Sequence, residues 1–269
     1  MAGDPFDYFF DVIPLWAFFL LTVGLIAAAL EGGFQAGSAR RGCRGDERES
    51  FVTAIVSATL ALLGFLLAMT FSIAVSRFDA RRHAFLREVN ALGTAYLRVD
   101  LLPEAQRMQA RVRLKEYVDV RLRVVDEGLV SQGIKRSEEL HRELWAIAME
   151  ASREAQNPVV VALFIQALNE VIDLHAERIV AAFQSRLPAA IWVTLYFVAA
   201  VGMAELGYQA ALAGSARSPT VLGLILSFAA VLWLVASLDR AREGPLRISQ
   251  QAMRDLQATM ASGLRRTLP

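Results

Sequence analysis

The stretch from Phe51 to Leu102 constrains the fold of this chain more than any other. Its first half, Phe51 to Val75, carries no charged residue and is long enough to cross a hydrocarbon core of about 30 Å as a helix. Its second half is densely charged. No proline lies between Phe51 and Leu102, so nothing obliges a helix to end at a membrane surface. One unbroken helix would be about 75 Å long, roughly twice what a membrane needs. We predict a helix that joins a membrane domain to a soluble one and serves as a shared wall or a pore lining.

Composition places the chain between the membrane and soluble classes. Of its 269 residues 55% are hydrophobic, and the mean hydropathy is +0.39, which is too apolar for a soluble domain, whereas the charged middle excludes an all-membrane chain. The formal net charge of +1 argues against nucleic acid as a partner. The single cysteine, Cys43, has no second thiol or histidine near it in the sequence, and we predict neither a metal nor another cofactor.

Four segments have the length and composition of transmembrane helices. The start of the chain, Met1 to Asp11, lacks the basic region of a cleavable signal peptide, so we expect it to be retained. Trp16 and its aromatic neighbours suit an interfacial belt. We predict an all-α membrane protein whose spans are, in chain order, Pro14–Leu30, Phe51–Val75, Leu187–Leu206 and Thr220–Leu238, with a polar connection from Glu31 to Ser50.

The middle of the chain predicts a bundle of amphipathic helices. One helix should run from Pro103 to Gly128, a second should begin with Ser137 as its N-cap, and a third should run from Pro158 to Arg186. Their predicted buried stripes are Met108, Val112, Leu114, Val118, Leu122 and Val125; Leu140, Leu144, Ile147 and Ala151; and Ile165, Leu168, Ile172, His175, Ile179, Ala182 and Arg186.

The tail after Pro245 predicts one more amphipathic helix, lying on the central domain or on the membrane surface. Its apolar residues are Leu246, Ile248, Met253, Leu256 and Met260. The domain organisation is then a cytoplasmic N-terminus (1–12), two transmembrane helices (13–76), a cytoplasmic helical domain (77–186), two further transmembrane helices (187–238) and a cytoplasmic C-terminal helix (239–269).

The arginines near the span ends predict the orientation. Four spans place both termini on the side of the central domain. Arginines on that side are Arg77, Arg81, Arg82, Arg186, Arg240, Arg242 and Arg247, against Arg40, Arg41, Arg44, Arg48 and Arg217 on the other. Since basic residues accumulate on the cytoplasmic side, the central domain and the termini are expected there.

The sequence contains no enzyme signature that we recognise. It lacks the GxxxxGK[ST], GxGxxG, HExxH and GxSxG patterns, and its three histidines, His83, His141 and His175, are scattered. We therefore expect that the protein is not an enzyme.

The layout and three local strings resemble the bacterial bestrophin-like family of membrane proteins. The strings are SATLALLGFLLAMTFSIAVSRFDARR, REVNALGTAYLRVDLLP and ALNEVIDLHAERI, and the resemblance extends from Ser57 to about Leu238. The layout is also similar to that of bestrophins proper, and this likeness implies a homopentameric ion channel in the bacterial inner membrane, with inorganic ions, lipids and further copies of the chain as partners and the second membrane helix lining the pore. Animal bestrophins bind calcium through an acidic cluster after the last span, and the segment Asp239–Glu243 departs from that pattern.

One side of the long helix suits a pore. Small residues recur there at spacings of three and four, which lets another helix approach closely: Ser57, Ala61, Gly64, Ala68 and Ser72. A neighbouring stripe begins apolar and becomes polar, as in a constriction that gates by dewetting and opens into a wet vestibule: Phe65, Met69, Ser72, Ser76, Asp79 and His83. The alternative is that Phe65 and Met69 pack against the other spans.

Three further groups of polar residues each allow two interpretations. Glu31 and Glu205 form a carboxylate ring at a pore mouth or are interfacial carboxylates in water. Arg77, Arg81 and Arg82 anchor to anionic headgroups or form an anion-attracting vestibule. A third set forms a buried network that clamps helices or an ion or ligand site, with His175 a core residue or a pH sensor: Asn90, Arg98, Asn169, Asp173, His175 and Arg178.

These observations favour a passive ion channel built from several copies of the chain. The alternative is a non-conducting membrane scaffold or sensor whose cytoplasmic helices bind a partner or a lipid. Carboxylates at one predicted mouth and arginines at the other leave the ion selectivity open.

Overall fold

The computed structural model of the protein describes residues 13–40, 49–127, 129–183, 187–214, 220–240 and 247–267. Throughout these residues the chain is helical apart from short connections, and it contains no strand. The predicted all-α class is confirmed. The helices are α1 (Leu15–Arg40), α2 (Glu49–Arg98), α3 (Glu104–Glu127), α4 (Val130–Glu154), α5 (Pro158–Phe183), α6 (Ala189–Leu212), α7 (Thr220–Asp239) and α8 (Gln251–Thr267), with a 3-10 turn, Val99–Leu101, after α2.

The chain divides into two compact units, each with its own apolar core. Unit 1 comprises the described parts of residues 1–79 and 185–247, and unit 2 those of residues 80–184 and 248–269. Unit 1 therefore holds α1, the first part of α2, α6 and α7. Unit 2 holds the rest of α2 together with α3, α4, α5 and α8.

Five helices, not the predicted four, are long and apolar enough to cross a membrane among the described residues. They are Leu15–Arg40, Phe51–Leu101, Pro158–Ala181, Ala189–Leu212 and Thr220–Asp239. The additional candidate is α5, because its first part, from Pro158 to Leu168, is almost wholly apolar. It packs into the core of unit 2 through Phe164, Leu168 and Val171. The number of candidate spans predicted from the sequence is thus corrected.

Glycines set the close approach of α1 and α6 in unit 1. A Cβ added at Gly33 would lie 1.8 Å from the carbonyl oxygen of Ala204, and one added at Gly207 would lie 2.0 Å from that of Leu30. Only glycine lets two helix backbones come this close. This packing accounts for a wrong boundary: α1 continues to Arg40, although the sequence predicted a polar connection from Glu31. Residues 41–48, including Cys43, lie outside the described residues.

Two polar residues at the end of α7 tie together three chain segments of unit 1. The backbone N–H of Leu187 donates to Oδ1 of Asp239 over 2.9 Å. Nη1 of Arg240 donates to the carbonyl oxygen of Ile13, and the guanidinium lies 5.6 Å from the ring centroid of Phe18. Both side chains are buried, so the start of α1, the entry to α6 and the end of α7 are fixed to one another.

In unit 2 the predicted stripe of α3 is correct in part. Leu114, Val118 and Leu122 are buried, whereas Val112 and Val125 are 46% and 47% exposed. The buried side also includes polar residues, which periodicity of apolar residues alone does not find: Gln106, Tyr117 and Arg121.

The start of α4 was predicted too late. The helix begins at Val130, and Ser137 is a buried residue inside it rather than its N-cap. Gly133 makes the earlier start possible, because a Cβ there would lie 1.9 Å from Cγ2 of Val124 on α3. The predicted stripe is otherwise correct, since all four of its members are buried: Leu140, Leu144, Ile147 and Ala151.

The seam of α5 is rotated relative to the prediction. Leu168 and His175 are buried as expected, but Ile165, Ile172 and Ile179 are only half-buried. The buried residues instead keep a three-four spacing from one turn earlier: Val161, Phe164, Leu168, Val171 and His175. Ala182 and Arg186 fall where side chains are not described.

The C-terminal helix, α8, packs within unit 2. Met253 and Met260 are buried in its core. The hydroxyl of Tyr96 donates to the carbonyl oxygen of Met260 over 3.2 Å, and Nε2 of Gln257 donates to Asp119 over 2.7 Å. Of the two positions that the sequence allowed, the one on the helical bundle is therefore observed.

Substitution of Gly207 by alanine should destabilise unit 1. The added methyl would meet the backbone of α1, so we expect a loss of about 1–3 kcal/mol in the free energy of unfolding, seen as a lower melting temperature in detergent. Gly24→Ala is the matched control, because nothing lies within 4 Å of its Cβ position and alanine favours the helix. Equal melting temperatures for Gly207→Ala and the wild type would contradict the close packing.

Candidate functional site

Among the described residues, one side of α2 is exposed along its course through unit 1. The helix packs into the core of this unit through Leu63, Leu67 and Ala74. Phe65 and Met69, which point away from that core, are 65% and 55% exposed. The next residues on this side are also exposed and complete what we call the α2 face: Phe65, Met69, Ser72, Ser76 and Asp79. Among the described residues, Phe65 and Met69 thus lie outside the apolar core of unit 1.

The α2 face changes in character along the helix. Phe65 and Met69 are apolar, Ser72 and Ser76 carry hydroxyls, and Asp79 carries a carboxylate. Beside it runs the stripe of small residues, all exposed: Ser57, Ala61, Gly64, Ala68 and Ser72. Nothing lies within 4 Å of a Cβ built on Gly64. The uncovered side is therefore flat enough for a helix of another copy to approach, and it runs from apolar to polar.

The two carboxylates proposed for a pore mouth are both half-buried. Glu31 lies within α1 rather than at its end and accepts a hydrogen bond from Nε2 of Gln35 at 3.3 Å. Glu205 lies between Gly202, which contacts Leu60 of α2, and Gln209, which donates to Thr53 of α2 over 2.7 Å. The structure thus places Glu205 on the side of α6 that meets α2, and its role in a mouth ring stays a prediction.

The three arginines near the polar end of the α2 face differ in exposure. Arg77 is half-buried, Arg81 is 6% exposed, and Arg82 is exposed. His83, one turn beyond Asp79, is exposed as well. Of the basic residues proposed to form a vestibule, only Arg82 is thus exposed.

Unit 2 contains a buried ionic cluster centred on Glu88 of α2. The carboxylate is fully buried, and it accepts hydrogen bonds from Tyr117 Oη at 2.7 Å and from Nη1 of Arg178. Nε of Arg121 lies 3.2 Å from Oε1 of the same carboxylate. One carboxylate from α2 therefore binds two side chains of α3 and one of α5.

Two histidines extend the cluster to α4. The His141 ring stacks on Tyr117 with centroids 5.1 Å apart, and it meets the His175 ring edge-on at 4.9 Å. Nδ1 of His175 lies 3.0 Å from the hydroxyl of Tyr117. Because the single phenolic proton goes to Glu88, Nδ1 of His175 must be the donor to Tyr117. Nε2 of a neutral His175 is then an acceptor.

Burial and the neighbouring charges fix the protonation states in this cluster. Burial acts to raise the pKa of Glu88, but the guanidinium groups of Arg121 and Arg178 outweigh it and hold the pKa below its usual value. Burial raises the pKa of Tyr117 well above its usual value, and the Glu88 charge adds to this. Burial lowers the pKa of His141 to about 4 and that of His175 to about 3. At neutral pH the cluster therefore has one anion, two cations and two neutral imidazoles.

The cluster includes only two of the six residues predicted for a polar network. His175 and Arg178 belong to it, whereas Asn90, Asn169 and Asp173 are exposed. Arg98 instead donates to the carbonyl oxygen of Leu163 over 2.7 Å. Asp173 lies on the outer side of α5, and the carboxylate that binds Arg178 is that of Glu88.

Sequence inspection missed four members of the cluster: Glu88, Tyr117, Arg121 and His141. A signal existed, because Glu88 interrupts the apolar spacing of Phe85 and Leu92, and Arg121 interrupts that of Leu114 and Val118. Charges inside an apolar stripe indicate buried ion pairs. Among the described residues no group of three or more histidines, cysteines and carboxylates is placed to hold a metal ion.

Comparison with known proteins gives one family and one fold. The family model described as Bestrophin-like domain matches residues 18–253. The crystal structure of a point-mutated bacterial bestrophin homologue from Klebsiella pneumoniae superposes with a TM-score of 0.64 at 14% identity, covering 94% of this chain and 98% of that one. At that identity the likeness shows the fold alone. No curated protein matches the chain.

Neutralising Glu88 should destabilise the protein strongly. In Glu88→Gln the guanidinium groups of Arg121 and Arg178 stay buried without a counter-charge, so we expect a loss of about 3–5 kcal/mol, measured by denaturant unfolding in detergent. Glu177→Gln is a close control, because Glu177 pairs with Arg87 across the same two helices, but the two side chains are 46% and 55% exposed. This control should cost under about 1 kcal/mol. Equal losses in the two variants would disprove the role of burial.

Acid should weaken unit 2 through its histidines. His141 and His175 titrate near 6.5 when unfolded but near 4 and 3 when folded, so unfolding takes up protons and the free energy of unfolding falls as the pH drops. The stabilisation is complete above about pH 6.5 and is lost down to about pH 4 for His141 and about pH 3 for His175, by up to ~1.4 kcal/mol per pH unit for each histidine. His141→Phe should have a shallower slope in unfolding measured between pH 7.5 and 4.5. A slope identical to that of the wild type would contradict this assignment.

Proposed function

Because the chain belongs to the Bestrophin-like family, we propose that it is an ion channel in which several copies of α2 line one pore. The copies form a homopentamer in the bacterial inner membrane. Ions pass through it passively, without enzymatic chemistry or a bound cofactor. Its partners are further copies of the same chain, membrane lipids and inorganic ions.

The observation that carries this proposal is the uncovered α2 face. If it met lipid, the carboxylate of Asp79 and the hydroxyls of Ser72 and Ser76 would continue a stripe in contact with acyl chains or headgroups, which is unfavourable for the charge. If several copies of α2 surround a common axis, the change from apolar to polar residues along the face suits a pore. Phe65 and Met69 would form a constriction that excludes water, and Ser72, Ser76 and Asp79 would line a wet vestibule.

The proposal assigns the membrane to unit 1. Its helices α1, α6 and α7 and the first part of α2 supply four spans, and unit 2 forms the cytoplasmic domain with both termini on the same side. The fifth apolar helix, α5, belongs to unit 2 in this arrangement. Its ion pair between Arg178 and Glu88 and its exposed Glu170, Asp173 and Glu177 suit water better than lipid.

Currents across a planar bilayer containing the purified protein test the function. Under asymmetric KCl, discrete unitary currents are expected from the assembled wild type. Silence from correctly assembled protein, across pH and calcium concentrations, would instead favour a non-conducting scaffold or sensor whose cytoplasmic helices bind a partner or a lipid.

Phe65→Ala should increase the unitary conductance or the open probability several-fold. The substitution removes an apolar ring from the constriction, so water and ions cross it more easily. Leu222→Ala is the control, because Leu222 of α7 is also exposed, by 56%, but lies off the α2 face. Unchanged currents in an assembled Phe65→Ala protein, or an equal increase in Leu222→Ala, would remove Phe65 from the gate.

A further inference from the structure

The sequence alone leaves open whether the proposed channel prefers cations or anions. The charge on the α2 face bears on this choice. Asp79 is its only formally charged residue. The carboxylate is exposed, and within the part of the chain that the structure describes it has no hydrogen-bond or ion-pair partner. An exposed carboxylate at this position attracts a mobile cation.

The neighbouring arginines do not share this face. Arg77 and Arg81 each lie two positions from Asp79, which places them about 160° around the helix from it. Their exposure agrees, because Arg77 is half-buried and Arg81 is 6% exposed. Of these three arginines, Arg82, about 60° from Asp79, is the one that is exposed at the edge of the face, where its charge opposes that of Asp79.

We infer that Asp79 is the residue that makes the channel prefer cations. The inference rests on the proposed function, since it requires copies of the α2 face around a common axis. A ring of such carboxylates concentrates inorganic monovalent cations and repels anions next to the constriction of Phe65 and Met69. The two serines before Asp79 offer hydroxyl oxygens, which can replace part of the water around a dehydrating cation.

Reversal potentials in bilayers under asymmetric KCl test this assignment. The recordings are made at pH 8, above the ordinary pKa of a histidine side chain. The wild type should favour potassium over chloride, Asp79→Asn should bring the permeability ratio several-fold closer to 1, and Asp79→Lys should favour chloride. Asp79→Glu, which keeps the charge, should retain the preference for potassium.

Arg82→Gln is the matched control on the same turn of the helix. It should increase the preference for potassium slightly or leave it unchanged, because its side chain is at the edge of the face. Size-exclusion profiles confirm that each variant assembles. Conducting Asp79→Asn channels with the reversal potential of the wild type would overturn the assignment to Asp79 while leaving the channel proposal standing.

A preference of the wild type for chloride that Arg82→Gln abolishes would also overturn the assignment, in favour of an arginine vestibule. Absence of current from assembled wild-type protein would overturn the channel and the selectivity together. A preference for potassium that weakens in Asp79→Asn and survives in Asp79→Glu would support both.

Discussion

In unit 1, the described part of α2 packs into the core through one side. The proposed channel function depends on what covers its other side. Leu63, Leu67 and Ala74 fill the core with the large side chains of α6 and α7, among them Trp192 and Leu232. The opposite side presents Phe65 and Met69, which are 65% and 55% exposed among the described residues. A bare apolar face that continues into hydroxyls and a carboxylate fits neither lipid nor water along its whole length. If several copies of α2 face one axis, the apolar part of the face packs against its copies and the polar part meets water.

The same helix is fixed in unit 2 by charge rather than by apolar packing alone. Glu88 is fully buried, and it holds Arg121 of α3 and Arg178 of α5 through its two carboxylate oxygens. A buried ion pair contributes little net stability compared with an apolar core, but the loss of one partner is costly. The cluster therefore favours the arrangement of α2, α3 and α5 in which Glu88 meets both arginines. His141 and His175 stay neutral there because burial opposes their protonation, and they connect α4 to the same carboxylate through Tyr117.

The sequence was most informative where the solvent alone determines structure. The uncharged run from Phe51 to Val75 and the span at Thr220 predicted helices that the structure contains, because a membrane span needs length and apolarity in one segment. Boundaries set by tertiary contacts were missed. The end of α1 depends on Gly33 and Gly207, and the start of α4 depends on Gly133 meeting Val124.

The site was predicted unevenly for the same reason. Exposure of Phe65, Ser76 and Asp79 follows from helical spacing along one element. The ionic cluster joins residues from four helices, and nothing in the spacing of Asp173 distinguishes it from Glu88 as the partner of Arg178. Only the packing places one carboxylate inside and the other outside.

The most direct test of the central claim is the position of the α2 face within the assembled protein. Spin labels can be attached to Ser76→Cys and, in a second protein, to Leu222→Cys, both in a Cys43→Ser background that leaves no other cysteine. Dipolar spectroscopy then gives the distances between labels on different copies, and relaxation by a water-soluble nickel chelate reports access to water. A shared pore predicts shorter distances and greater access to the chelate at Ser76 than at Leu222. Longer distances at Ser76, with relaxation by oxygen dissolved in lipid, would place the α2 face on the outside and contradict the channel.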